Sequence, residues 1–149
     1  MPYLKQAARL LVVDDDAIFN QLFVYALNHL GYEAEGVHNS DAAVEALARR
    51  HFDLVFADVH MPGNRQLQLL RTVVDHHPLL PVVLMTGYPE MNTVIEALRA
   101  GAADFFVKPS DTEDVESKIR RLLTAADRRR RARRALDELT TMGEPTTDA

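Results

Sequence analysis

Apolar residues recur along the chain in two alternating rhythms. Short runs rich in β-branched residues, Arg9-Leu10-Leu11-Val12-Val13, Leu54-Val55-Phe56-Ala57 and Pro81-Val82-Val83-Leu84-Met85, read as strands buried on both faces. Tyr32 to Val37 is a weaker strand and Asp104-Phe105-Phe106-Val107 another. Between these runs the spacing lengthens to that of helices. Ile18, Leu22, Ala26 and Leu30 mark the inner face of a first helix, stopped by Gly31. Ser40 and Asp41 offer the N-cap of a second, running through Arg50 with Val44, Leu47 and Ala48 inward. Leu67, Leu70, Val73 and Val74 mark a third that closes at His76-His77-Pro78, and Val94, Ala97, Leu98 and Ala100 line a fourth stopped by Gly101. Val115, Ile119, Leu122, Leu123 and Ala126 give an amphipathic closing helix. Strands alternating with helices in this way predict an α/β fold, a doubly wound parallel sheet with helices on both faces. Phe52, Phe56 and Phe106 fall in the predicted core.

The pattern divides the chain. Residues 1–126 form one domain, and 127–149 an extension in which helical propensity continues but the apolar stripe does not. Arg128 to Arg134 reads Arg-Arg-Arg-Arg-Ala-Arg-Arg, only Leu136 and Leu139 resume the stripe, and a disordered tail is expected from Gly143. At 149 residues there is room for one sizeable core and not comfortably for two. The formal net charge of −5 is unevenly placed, because the six arginines of residues 128–149 face only Asp137, Glu138, Glu144 and Asp148. The body is therefore acidic. Without cysteine, disulfides and thiolate metal sites are excluded. No apolar run approaches the ~20 residues of a membrane span, and the amino-terminal residues do not read as a signal peptide, so a soluble cytoplasmic protein is expected.

Candidate chemistry lies where the strands end. Asp14 and Asp15 follow the first strand, Asp58 the third, Thr86 the fourth and Lys108 the fifth. In a parallel sheet these ends share one edge, the edge at which open α/β sheets bind ligands. Pro62-Gly63 turns the chain soon after Asp58, which presents that carboxylate at the edge. Seen alone, Asp58 reads more simply as a strand-end or helix-capping aspartate than as a site residue. Three carboxylates ~5 Å apart repel by about 3 kcal/mol per pair at an effective dielectric of ~20, so together they call for a cation. Oxygen ligands without Cys or paired His suit Mg²⁺ or Mn²⁺. Lys108 and the Thr86 hydroxyl suit phosphoryl oxygens, and a carboxylate not consumed by the metal can be a nucleophile.

The motifs Leu-Val-Val-Asp-Asp-Asp, Asp-Leu-Val-Phe-Ala-Asp-Val-His-Met-Pro-Gly, Pro-Val-Val-Leu-Met-Thr-Gly and Gly-Ala-Ala-Asp-Phe-Phe-Val-Lys-Pro resemble the receiver domain of bacterial two-component response regulators over residues 8 to 126. The resemblance implies a flavodoxin-like sheet of order 2-1-3-4-5 and a phosphorylation switch. Asp58 matches the phosphoacceptor, supplied by a sensor histidine kinase or phosphotransfer protein. Asp15, Asp58 and the backbone carbonyl of His60 match the Mg²⁺ ligands, with Asp14 acting through water. Thr86 and Lys108 match the residues that engage the phosphoryl group, and Phe105 the switch aromatic coupled to Thr86. Lys108-Pro109 matches a cis peptide bond. Phosphorylation is then expected to shift the face made by the fourth helix, fifth strand and fifth helix, which dimerises or docks an output protein or domain. His60, Gly87 and Tyr88 stand at the pocket rim; His60 and Tyr88 are large, and slow self-dephosphorylation is expected. Asn64-Arg65-Gln66 departs from the family's usual Gly and acidic residue in that loop, and Phe105 lacks the hydroxyl of the commoner tyrosine.

Other readings compete. Arg128 to Arg134 could hold a DNA backbone, but no helix-turn-helix follows, and a solvated linker is the simpler reading; direct nucleic-acid binding is not expected. A hydrolase could use the same acidic pocket, although a receiver loses its phosphoryl group as a timer rather than as a turnover enzyme. The absence of a Gly-rich phosphate loop argues against a nucleotide-binding enzyme. The phrasing of the motifs is also similar to receivers of transcriptional activators, so the chain could be the receiver and linker of a larger regulator, with Leu136 and Leu139 starting a helical pair in a homodimer. His76-His77 reads as a solvated helix end, since adjacent histidines point apart.

Overall fold

The computed structural model describes residues 7–62, 67–108 and 111–143. Strands β1 (Arg9–Val13), β2 (Glu33–Val37), β3 (Leu54–Asp58), β4 (Val82–Thr86) and β5 (Asp104–Val107) alternate with helices α1 (Ala17–His29), α2 (Ser40–Arg49), α3 (Gln68–His76), α4 (Met91–Arg99) and α5 (Thr112–Gly143). The strands are all parallel, in the order β2-β1-β3-β4-β5. This is the predicted doubly wound sheet. Because successive strand residues face opposite ways, the fully buried strands serve two cores. Leu11, Val13, Val55, Ala57, Val82 and Leu84 pack with residues of α2, α3 and α4, whereas Leu10, Val12, Leu54, Phe56, Val83 and Met85 pack with residues of α1 and α5.

Three of the predicted helix faces, and the start of α3, need correcting. On α1, Ile18 and Leu22 are 73% and 64% exposed; Phe19, Phe23, Val24 and Leu27 pack inward instead. The helix is apolar nearly all round, so spacing alone does not select its inner face. Aromatic packing does: the Phe23 ring meets Phe56 edge-on at 5.0 Å and Phe106 at 5.9 Å. On α2, Val44 and Ala48 face solvent while Ala43, Ala46 and Leu47 are buried, and the N-cap is Asn39, whose side chain accepts from the Ala42 amide at 2.7 Å. On α3, Leu67 precedes the helix in the left-handed conformation, φ 58°. On α4, Leu98 is half exposed and Ala97 is the buried residue. Gly31 and Gly101, at φ 100° and 108°, end their helices as predicted.

Helix α5 is continuous for 32 residues, about 48 Å at 1.5 Å per residue. Val115, Ile119 and Ala126 are buried, but 131–141 are all exposed, including Leu136 and Leu139. Salt bridges Asp127–Arg131 at 3.2 Å and Arg133–Asp137 at 3.8 Å run along this exposed stretch. Arg130 is half buried and lines a cavity with His51, Phe52, His77 and Leu80 at the amino edge of the sheet. The tail expected beyond Gly143 lies outside the described residues. Phe56, 1% exposed and touching Phe23 and Phe106, is central to the α1/α5 core. Phe56→Ala is expected to lower stability by about 3–5 kcal/mol, read from the urea midpoint of unfolding.

Candidate functional site

Strands β1, β3, β4 and β5 deliver their polar residues to one edge of the sheet. β1 ends at Val13, and Asp14 follows it fully buried, its amide donating to the Val37 carbonyl at 3.1 Å. Asp15 is exposed and its side chain makes no hydrogen bond or ion pair among the described residues. Asp16 caps α1, accepting from the Phe19 amide at 3.1 Å, while its own amide donates to Asp14 Oδ1 at 2.9 Å. β3 ends at Asp58, 6% exposed, whose Oδ1 accepts from the His60 amide at 3.1 Å. Carboxylate oxygens of Asp14, Asp15 and Asp58 lie within 4.8 Å of one another.

The other two residues come from the far strands. Thr86, buried at the end of β4, accepts through Oγ1 from the Tyr88 amide at 3.0 Å. The Lys108 amide donates to the Thr86 carbonyl at 2.8 Å, which fixes the root of its side chain just past β5. Its ammonium donates to Asp14 Oδ2 at 2.5 Å and to Asp58 Oδ2 at 3.2 Å, and sits 4.4 Å from the Phe19 ring centroid. Phe105 is partly buried against the α2–α4 core, and with Thr86, Tyr88 and Val94 it lines a residual cavity of about 10 Å³. His60, Gly87 and Tyr88 are exposed at the rim. Pro109, and with it the predicted cis bond, lies outside the described residues, as do Gly63 and the 64–66 departure.

Charge dominates this pocket. Burial pushes the Asp58 carboxyl above its ordinary pKa; the His60 amide and the Lys108 charge pull it down, and Asp14 pushes it up again, with the net result upward. Burial works to lower Lys108, but its bond to Asp14 and the field of Asp58 outweigh that and hold it above its ordinary value. One ammonium facing three carboxylates leaves the site in deficit of positive charge. The oxygen-only donor set fits a hard divalent cation, with Asp14, Asp15 and Asp58 as the residues that could hold it.

Sequence reasoning anticipated the five converging side chains but missed Phe19 under Lys108, Asp16 as a cap and Asn20, which is 2% exposed and bonds to the carbonyls of Asp14 and Val37. A capping-type residue just before the helix was the available signal for Asp16. No sequence signal marked Asn20.

Residues 10–120 match the family profile described as the response regulator receiver domain. The chain belongs to this family. It is 43% identical over 103 residues to the response regulator protein FleR of Pseudomonas aeruginosa, covering 69% of this chain and 22% of that one. It is 30% identical over 137 residues to the DNA-binding transcriptional regulator NtrC of Escherichia coli, covering 92% and 28%. Its fold superposes with a TM-score of 0.78 on a CheY-like response regulator receiver domain protein from Methanospirillum hungatei, at 25% identity, covering 83% of this chain and 98% of that one. The chain thus spans less than a third of the curated relatives it matches.

Two stability effects follow for the receiver fold without metal. Asp58 has a folded-state pKa raised above the unfolded value, so its favourable contribution is present below the unfolded pKa and is lost as pH rises through the folded one. Asp58→Asn is therefore expected to raise the urea midpoint at neutral pH, with the gain vanishing below the ordinary carboxylate range. Lys108 has the same sign in a higher pH window: with its folded-state pKa raised, its contribution to stability is present throughout the neutral range and is lost only as pH climbs through the folded-state value. Lys108→Ala strands buried Asp14 and is expected to cost about 3–5 kcal/mol at pH 7, measured the same way.

Proposed function

We propose that this receiver domain is a signalling switch that accepts a phosphoryl group on Asp58 from a sensor histidine kinase or phosphotransfer protein. The observation that carries this reading is the placement of Asp58: a buried carboxylate at a strand end, 3.2 Å from Lys108 and clustered with Asp14 and Asp15. A carboxylate oxygen of Asp58 attacks the phosphorus of the donor phosphohistidine. The new P–O bond forms as the P–N bond breaks, and its electron pair returns to the imidazole nitrogen. Lys108, released in part from Asp58, pairs with a phosphoryl oxygen. Asp14, Asp15 and Asp58, with the His60 carbonyl, would hold Mg²⁺ or Mn²⁺, which when bound would supply positive charge to the phosphoryl oxygens. Hydrolysis of the acyl phosphate resets the switch without making the protein a turnover enzyme.

Relay then runs through Thr86. Its hydroxyl leaves the Tyr88 amide and donates to the phosphoryl group, Phe105 turns into the vacated space, and the surface of α4, β5 and α5 changes. Phe105 lacks a hydroxyl, so its inward state is held by packing alone. Residues 127–149 act as a linker. The length of the relatives, and the name of NtrC among them, favour a larger cytoplasmic regulator whose output domain this receiver controls, with a homodimer as one route of control. No described helix is long and apolar enough to cross a membrane.

With acetyl phosphate and Mg²⁺, intact mass is expected to show one added phosphoryl group on the wild type and none on Asp58→Asn. No addition to the wild type, together with failure to bind beryllofluoride, would overturn the reading. Beryllofluoride is expected to change amide exchange in α4 and β5 of the wild type but not of Thr86→Ala, where an unchanged response would sink the Thr86 relay. Bulky His60 and Tyr88 at the rim hinder the hydrolytic water, so the phosphoryl half-life is expected in minutes or longer, and shorter in His60→Gly; a wild-type half-life of seconds contradicts this.

A further inference from the structure

Asp15 poses a positional problem. Its carboxylate is exposed and bonded to nothing among the described residues, so its direction is set through its backbone. The Asp14 carbonyl and the Asp15 amide belong to one planar peptide unit. Whatever holds that carbonyl therefore restrains the rotation that aims Asp15.

Asn20 holds it. From the buried face of α1 its amide nitrogen donates to the Asp14 carbonyl at 3.0 Å and to the Val37 carbonyl at 2.8 Å. These carbonyls stand at the ends of β1 and β2, and Val37 also accepts from the Asp14 amide at 3.1 Å. His38 Nδ1 approaches the same Asp14 carbonyl at 3.3 Å. Opposite the amide lies Gly36, where an added Cβ would stand 2.0 Å from Asn20 Oδ1 and 3.2 Å from Val24 Cγ2. Gly36 is in a strand with nothing unusual in its φ; what requires glycine there is the space the Asn20 side chain occupies.

We infer that Asn20, seated in the space left by Gly36, is a positioning residue that aims the Asp14–Asp15 peptide and so sets the metal affinity of the acidic pocket. The inference rests on the phosphoacceptor reading but concerns residues that touch neither metal nor phosphoryl group. Partners one step removed from a metal ligand are typically worth about 10–100-fold in affinity.

The test is a double-mutant cycle on Mg²⁺ dissociation constants, measured by calorimetry on the full chain under conditions where circular dichroism finds every variant folded. Asn20→Ala is expected to weaken binding about tenfold. Gly36→Ala is expected to do the same in the wild type by displacing the amide, and to add little in the Asn20→Ala background, where only Val24 Cγ2 at 3.2 Å has still to give way. Should Asn20→Ala fail to fold, Gly36→Ala with amide exchange at Asp15 and Asp16 carries the test alone, faster exchange with weaker binding being the expected result. Folded variants with wild-type Mg²⁺ affinity overturn the inference, as does a Gly36→Ala effect of equal size in both backgrounds. A wild type that binds no Mg²⁺ and takes no phosphoryl group overturns the phosphoacceptor reading as well, which separates the two failures.

Discussion

One lysine against three carboxylates is the constraint on which the site depends. Lys108 reaches Asp14 and Asp58 across a gap of 94 and 50 residues in sequence, and only the parallel sheet brings those positions together. Asp14 is fully buried, a state a carboxylate tolerates only when paired. The pairing consumes the ammonium and still leaves the Asp15 side chain without a partner among the described residues. The result is a pocket stable enough to exist and short of positive charge, which favours the arrival of both a divalent cation and a group that Lys108 can turn to.

The fold serves that imbalance by keeping the strand ends rigid. Residues of β1, β3 and β4 are buried on both faces by separate cores, so the edge carrying the carboxylates cannot shift without disturbing both. The residues of the proposed relay are held more loosely. Thr86 is held by one backbone amide, Phe105 is only partly buried beside a small residual cavity, and α4 contributes Ala97 alone as a fully buried side chain. Elements with few buried contacts move most readily, and here they lie next to the site.

Much of this was legible in the sequence because strands buried on both faces write themselves as continuous apolar runs, each ending in a polar residue whose location the parallel topology dictates. Asp14, Asp15, Asp58, Thr86 and Lys108 were found that way. The faces of α1, α2 and α4 were not, because each helix offers more than one apolar stripe and tertiary packing selects among them; on α1 the Phe23–Phe56–Phe106 cluster decides. Asn39 displaced Ser40 and Asp41 as a cap by one and two residues, within the ordinary uncertainty of helix ends. Asn20 and Gly36 escaped notice since their meaning is joint: a buried amide and the missing Cβ across from it are visible only once α1 lies against β2.

The most direct test of the charge imbalance is the initial rate of phosphorylation by acetyl phosphate as a function of Mg²⁺ concentration, with Asp15→Asn beside the wild type. Saturable dependence on Mg²⁺, absent after chelation and shifted to much higher concentration in Asp15→Asn, is the expected result. A wild-type rate indifferent to Mg²⁺ would contradict it, because the three carboxylates would then need no cation beyond Lys108.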